Sequence, residues 1–477
     1  MILDLILDNI VQIIYLMDLV LMLALFVLER SNPSRALFWM MALLLLPVIG
    51  FVLYLFFGQS FYSKYAFRPK GTTDAIADEM SQKGVDAIEN YGGTDGDSRM
   101  AKSINSAGGL FFTSDNDVDL YTDGNAKFDD FKEDLRNAKR FIHVEYYIIR
   151  KDALGNEIMD ILTEKAREGV EVRLLVDAIG FNTGVKEKKR FKEAGGRLCM
   201  FHSMATCMLS PKKNNRNHRK LAVIDGEIGY IGGFNIGVEY LGQGEFGHWR
   251  DSAVRIKGSA VNALCVRFGL DWKYASRENI LAERRYYPEC DFKGDIPVQI
   301  VSGGPDMETT NGIAFQYMQM INQAKESILI HTPYFGPGDA FIMALRAAAM
   351  RGVDVRIIIP DIGDHPFVYW ANRKYASMVM EDGVKVYEYH DGFVHSKTMV
   401  VDGHWCSVGS ANFDDRSMRL NFEANAMVYS DEIGKEMIDA FEEDLERCTE
   451  YTMEMFSDRT LIQRMRTNIS WLVSEQL

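Results

Sequence analysis

Apolar residues follow three patterns along the chain. The first is uninterrupted: Ile10 to Leu28 and Ala36 to Phe57 are apolar runs of spanning length, joined by the short segment Glu29 to Arg35. They predict a transmembrane helical hairpin over residues 1–60. Pro47 and Gly50 are tolerable in lipid. Asp18 is costly there, at roughly 2.5–3.5 kcal/mol, so either it faces the partner helix or its segment dips rather than spans. The first residues carry Asp4 and Asp8 but no Lys or Arg, unlike a signal peptide. Arg30 and Arg35 stand against Lys64, Arg68 and Lys70, which tips a multi-pass cell-membrane protein towards a cytoplasmic catalytic region.

The second pattern is polar and Gly-punctuated. Residues 61–108 read as a linker, helical around Thr73 to Asn90 and packed loosely on the region C-terminal to it. The third begins near Gly109, where helix-period and strand-period segments alternate and then repeat. Phe141 to Tyr147 parallels Leu329 to Phe335, and Ala166 to Asp177 parallels Ala349 to Pro360. Each is followed by a third strand, Arg197 to Phe201 or Lys385 to Tyr389, and then a hairpin. The class is α/β: two pseudo-symmetric lobes, 109–290 and 291–477, with mixed β-sheets flanked by helices. Helices are expected over Ile433 to Thr452 and Thr460 to Glu475, with Leu461, Met465, Ile469 and Leu472 packing on the lobes in the favoured reading and touching the membrane surface in the alternative.

The hairpins carry the chemistry. The first holds His218, Lys220, Asp225, Gly233 and Asn235; the second holds His395, Lys397, Asp402, Ser410 and Asn412. His and Lys are two apart on a strand and share a face. Asp-Gly reads as the hairpin turn, and suggests that Asp225 and Asp402 hold the turn rather than touch substrate. The Gly-Gly or Gly-Ser pair lets backbone N–H groups approach an anion, and the Asn adds an amide donor. One copy makes half a phosphate site and two make a whole one. A pair of histidines supplies a nucleophile and a general acid, and two lysines neutralise the phosphoryl charge.

Composition narrows the classes. A net charge of −14 argues against a broad nucleic-acid surface. Six scattered Cys, without CxxC, read as free thiols in a reducing compartment. No cluster has metal-ligand spacing, and no cofactor is expected. His143 and His331 occupy matching repeat positions, which favours a shared structural role.

The paired His-x-Lys-x4-Asp motifs, each followed by Gly-Gly/Ser-x-Asn, resemble those of the phospholipase D superfamily. Gly233 in place of Ser410 is a departure between the copies. With the N-terminal hairpin, Asn412-Phe413-Asp414-Asp415-Arg416-Ser417 and Asn235 to Tyr240, the chain looks like the bacterial cardiolipin synthases. That resemblance implies a pseudo-twofold site at the lobe interface and metal-independent transfer of phosphatidyl between two phosphatidylglycerols through a phosphohistidine. The two copies are nearly equivalent and their residues do not choose the nucleophile; family precedent implies His218, with His395 as acid and base. The resemblance also implies acids that orient the histidines, for which Asp251 and Glu423 are the candidates by position. The same site could use water, serine or ethanolamine as acceptor; a nuclease or an inactive scaffold fits less well. The segment Met204 to Arg216, apolar then basic, is either a solvated loop or a flap whose Lys212, Lys213 and Arg216 meet anionic headgroups. Oligomeric state is left open.

Overall fold

The computed structural model describes residues 10–28, 33–46, 49–50, 53–54, 75–201, 215–289, 294–305 and 311–474. The flap expected at 204–216 lies outside these, apart from its last two residues.

The N-terminal unit contains helices Ile10–Leu28 and Pro33–Leu45. Ala36, Trp39 and Leu43 form its core. Asp18 is buried as well, and its Oδ2 has no hydrogen-bond partner among the described residues. Beyond Leu45 the expected run to Phe57 lies partly outside the described residues; those described at 49–50 and 53–54 are helical, and Gly50 donates its N–H to the Leu46 carbonyl at 2.6 Å. Among the described residues no helix is long and apolar enough to cross a membrane.

The two lobes form a second compact unit. Lobe one contributes β1 (Phe112–Tyr121), β2 (Phe141–Tyr146), β3 (Glu171–Val176), β4 (Arg197–Met200), β5 (Leu221–Ile224), β6 (Ile228–Gly232), β7 (Trp249–Arg250) and β8 (Ala253–Lys257). Lobe two contributes β9 (Ile296–Gly303), β10 (Ser327–His331), β11 (Phe335–Gly336), β12 (Asp354–Pro360), β13 (Lys385–Tyr389) and β14 (Phe393–Val394). It continues with β15 (Thr398–Val401), β16 (Trp405–Gly409), β17 (Phe413–Asp414), β18 (Glu423–Tyr429) and β19 (Cys448–Tyr451). The sheets of the two lobes are joined. One fifteen-stranded sheet runs β4-β3-β2-β5-β6-β8-β1-β9-β18-β16-β15-β10-β12-β13-β19. Its order is nearly palindromic about the β1–β9 junction, as the repeat predicts.

In each lobe three strands are parallel, and the first hairpin strand, β5 or β15, pairs antiparallel with them. The central strands β3 and β12 are buried along most of their length because helices cover the sheet. Each lobe has its own apolar core.

Three expectations are corrected. The segment before β1 is no loose linker: helices Ala75–Asn90 and Asp95–Ser106 send Ile88, Met100, Ala101 and Ile104 into the lobe-two core. Residues Cys448–Tyr451 leave the helical pattern and pair antiparallel with β13, covering a sheet edge. In the last helix, Leu461–Val473, the expected inner face points outward: Leu461 and Leu472 are exposed, and Thr467 and Ser470 are buried.

Candidate active site

Both motifs sit where an antiparallel hairpin strand begins. His218 and Lys220 immediately precede or meet β5, and His395 and Lys397 stand likewise before β15. The motif aspartates lie at the opposite ends of these short strands. Asp225 and Asp402 adopt left-handed backbone, φ 55° and 52°, as does the glycine after each. That geometry makes a type I′ turn. The Asp225 carboxylate accepts the N–H groups of Lys139, Arg140 and Phe141 at 2.8, 2.7 and 2.9 Å. Asp402 accepts those of Lys325, Glu326 and Ser327. Each aspartate therefore pins its turn to the start of the neighbouring parallel strand, far from the histidines.

The orienting acids cross between lobes. Glu423, from lobe two, lies 3.3 Å from Nδ1 of His218 in lobe one. Asp251, from lobe one, lies 2.6 Å from Nδ1 of His395 in lobe two. The backbone enforces the exchange: His218 donates its N–H to the Phe422 carbonyl at 2.9 Å, and His395 to the Arg250 carbonyl at 2.7 Å. A short parallel pairing of β7 with β14 ties the second crossing, and a bridge of Asn217 to Phe422 ties the first. Because side chains two apart share a face, the residue two before each acid also reaches a histidine. Asn421 Nδ2 is 3.3 Å from His218 Nδ1, and Trp249 stacks on His395 at 5.3 Å. Tyr147 covers the other ring, 4.1 Å from His218.

The centre is crowded with cations held away from water. Lys220 donates to the His218 carbonyl at 2.6 Å, and Lys397 Nζ lies 2.8 Å from His395 Nδ1. Burial lowers the Lys220 ammonium, against the pull of Glu423 and Asp251. Burial also brings Lys397 down to about 7, with Lys220 adding to the fall. Burial, then Lys397, brings His395 down to about 4, and Asp251 pulls the other way. His218 is lowered too, first by burial, with Glu423 opposing. Burial pushes Glu423 up, but His218 and Lys220 outweigh it and hold the carboxyl below its ordinary value. The dependence of Lys397 and His395 on Lys220 shows that both motifs share one electrostatic site.

Other predicted residues have different duties. Ser410 donates its hydroxyl to Glu423 at 2.6 Å and its N–H to the Ala424 carbonyl. Gly233 gives its N–H to the Ser252 carbonyl. In both, the N–H that the sequence reading offers to an anion is engaged by a carbonyl of the fold. Their difference has a steric cause: a Cβ on Gly233 would stand 2.0 Å from Asp251 Oδ1. Asn235 donates to Tyr240 at 2.7 Å and accepts from the Ile148 N–H, while Asn412 donates to Asp414. Arg216 is buried, 3.8 Å from Asp177. His143 stacks on Phe268, and His331 bonds Thr398 and Asp444. Both are structural, in different surroundings.

Two buried arginines were not anticipated. Arg219 donates from Nε to the Glu423 carbonyl at 3.1 Å and is paired with Asp271 at 2.9 Å. Arg250 donates from Nη1 to the Asp251 carbonyl at 2.8 Å and is paired with Asp444 at 2.8 Å. Each braces one orienting acid. Position beside the motif was the only signal in the sequence. Arg416 also acts electrostatically on His218 and Tyr147. Among the described residues no group of three or more His, Cys, Asp or Glu is placed to hold a metal ion. Cys199, Cys265, Cys406 and Cys448 are free thiols.

Residues 131–267 and 317–445 match the family described as cardiolipin synthase, PLD-like domain. The chain belongs to that family. Residues 10–59 match the phospholipase D-nuclease N-terminal family. The chain is 42% identical over 475 residues to cardiolipin synthase 2 of Staphylococcus epidermidis, covering 96% of each. It is 41% identical to the cardiolipin synthase of Staphylococcus aureus, covering 99% of this chain and 97% of the relative. The crystal structure of phosphatidylserine synthase from Haemophilus influenzae shares the fold, with a TM-score of 0.61 at 16% identity, over 80% of this chain and all of that one. The chain is a phosphatidyltransferase of the phospholipase D type.

Proposed function

We propose that the two lobes form one transfer site that converts two phosphatidylglycerols into cardiolipin and glycerol. The crossed pairs, Glu423 with His218 and Asp251 with His395, carry this reading. A carboxylate at Nδ1 fixes the tautomer that leaves Nε2 with a lone pair. His218 Nε2 attacks the phosphorus, and the bond to the headgroup glycerol breaks. His395 gives its proton to the departing glycerol oxygen. His395 then takes the proton of a headgroup hydroxyl on a second phosphatidylglycerol. That oxygen attacks the phosphorus, and the P–N bond to His218 breaks. Lys220 and Lys397 neutralise the phosphate oxygens.

The acid needs a proton that its surroundings disfavour. His395 sits at about 4 because it is buried among cations. A phosphodiester anion reverses that local charge, so substrate binding itself raises the imidazole towards its working range. Tyr147 and Trp249 cover the rings and limit water at the intermediate.

Residues 10–59 anchor the enzyme in the cell membrane as a multi-pass hairpin, with the lobes on the cytoplasmic side; the N-terminal family match and the two long apolar runs support this. The test is to incubate the full chain with phosphatidylglycerol in detergent micelles and EDTA, and to resolve the products. Cardiolipin with equimolar glycerol, lost in His218→Ala and His395→Ala, is expected. Phosphatidic acid alone would make water the acceptor and overturn the transferase reading.

A further inference from the structure

The last helix, Leu461–Val473, is packed inside out. Its small polar residues Thr467 and Ser470 are 0% and 2% exposed, while Leu461, Ile462, Met465, Ile469 and Leu472 are 50–75% exposed. It lies along helix Pro366–Met380, where Tyr375 shares a hydrogen bond with Ser474 and Lys374 lies over Trp471. At 3.6 residues per turn the five exposed apolar side chains fall within an arc of about 100°, opposite the buried pair. Arg464 and Arg466 flank that arc on its two sides, about 60° and 40° beyond it; Arg464 also donates to the Arg459 and Ser457 carbonyls at 3.0 and 2.7 Å, and the helix has no acidic residue. In a chain of net charge −14 this is a local reversal of sign.

An apolar stripe in water is unfavourable unless something covers it. Two flanking cations with long apolar stems suit a surface that is apolar below and anionic at headgroup level. We infer that Leu461–Val473 is an interfacial helix that lies in the anionic headgroup layer of the membrane, with Leu461, Met465 and Leu472 buried in it and Arg464 and Arg466 at the phosphates. The choice of anionic lipid rests on the proposed phosphatidylglycerol substrate. It gives the catalytic unit a lipid contact of its own, made by residues outside the catalytic machinery.

The test places a nitroxide on the full chain through Leu461→Cys, Met465→Cys or Leu472→Cys, with the labelled parent chain as background. Collision with oxygen and with a water-soluble nickel chelate is read on phosphatidylglycerol vesicles, on phosphatidylcholine vesicles and in buffer. Oxygen contact should rise and nickel contact fall on phosphatidylglycerol only. Adding Arg464→Gln and Arg466→Gln should weaken that partitioning about tenfold or more, given ~1 kcal/mol per basic residue at an anionic surface. Labels that stay in water on phosphatidylglycerol overturn the inference. Shielding already present in buffer overturns it in favour of a second copy or another segment as the cover. Equal shielding on both lipids overturns the anionic recognition. The readout does not use turnover, so failure of the catalytic reading would appear separately in the micellar product assay.

Discussion

Gly233 shows how little room the site leaves for a side chain. A methyl group there would displace the Asp251 carboxylate from its 2.6 Å contact with His395. Gly233→Ala is expected to lower kcat about a hundredfold, the usual cost of a misplacement near 1 Å. A kcat near the parent value would show that the carboxylate position is not critical. Lys397 supplies the second residue-scale prediction. Its ammonium is charged below about pH 7 and neutral above in the free enzyme. The anion-binding charge is therefore lost as pH rises, and kcat/KM should fall above about pH 7. Bound anion favours the charged form, so the fall in kcat should lie at higher pH. A Lys397→Arg variant that remains active should lack the break near pH 7 and keep the fall set by His395 at lower pH, because its guanidinium does not titrate there.

At the scale of elements, the motif aspartates belong to strand assembly and the arginines to the acids. Asp225→Ala leaves three N–H groups at the start of β2 without their acceptor. It should cost about 2 kcal/mol or more in urea unfolding, with kcat of the folded fraction retained. Loss of kcat with unchanged stability would instead put Asp225 in the chemistry. Arg250→Lys loses the planar donor set that joins Asp251 to Asp444. It should lower kcat about tenfold with KM kept, because the acid drifts while phosphate binding does not. The hairpins, the parallel strands and the aspartates' duty in the turn were legible because each is a local pattern of spacing and turn chemistry. The strand at Cys448–Tyr451 was not, because its partner is sixty residues upstream and its own sequence continues a helical period. The outward face of Leu461–Val473 was not legible either: periodicity reports that a helix has an apolar face, not what covers it.

At the scale of the whole molecule, the fold makes one site from two copies by exchanging acids across a sequence separation of 144 residues on one side. The repeat announced two half-sites and a pseudo-twofold, and Asp251 and Glu423 were identifiable by position. Which acid serves which histidine was not, since only the packed interface decides it. Because Glu423 acts through His218, the His218→Ala, Glu423→Ala double variant should be no slower than His218→Ala alone. A further large loss would mean that Glu423 has an independent role. The proposed intermediate is covalent on one histidine and is resolved by the other. It is tested by giving the His395→Ala chain a phosphatidyl nitrophenyl ester, whose leaving group needs no proton. A burst of nitrophenolate equal to the enzyme and a phosphatidyl adduct on His218 are expected, with no burst from His218→Ala. A burst from His218→Ala with the adduct on His395 would reverse the roles, and no adduct on either would contradict the mechanism.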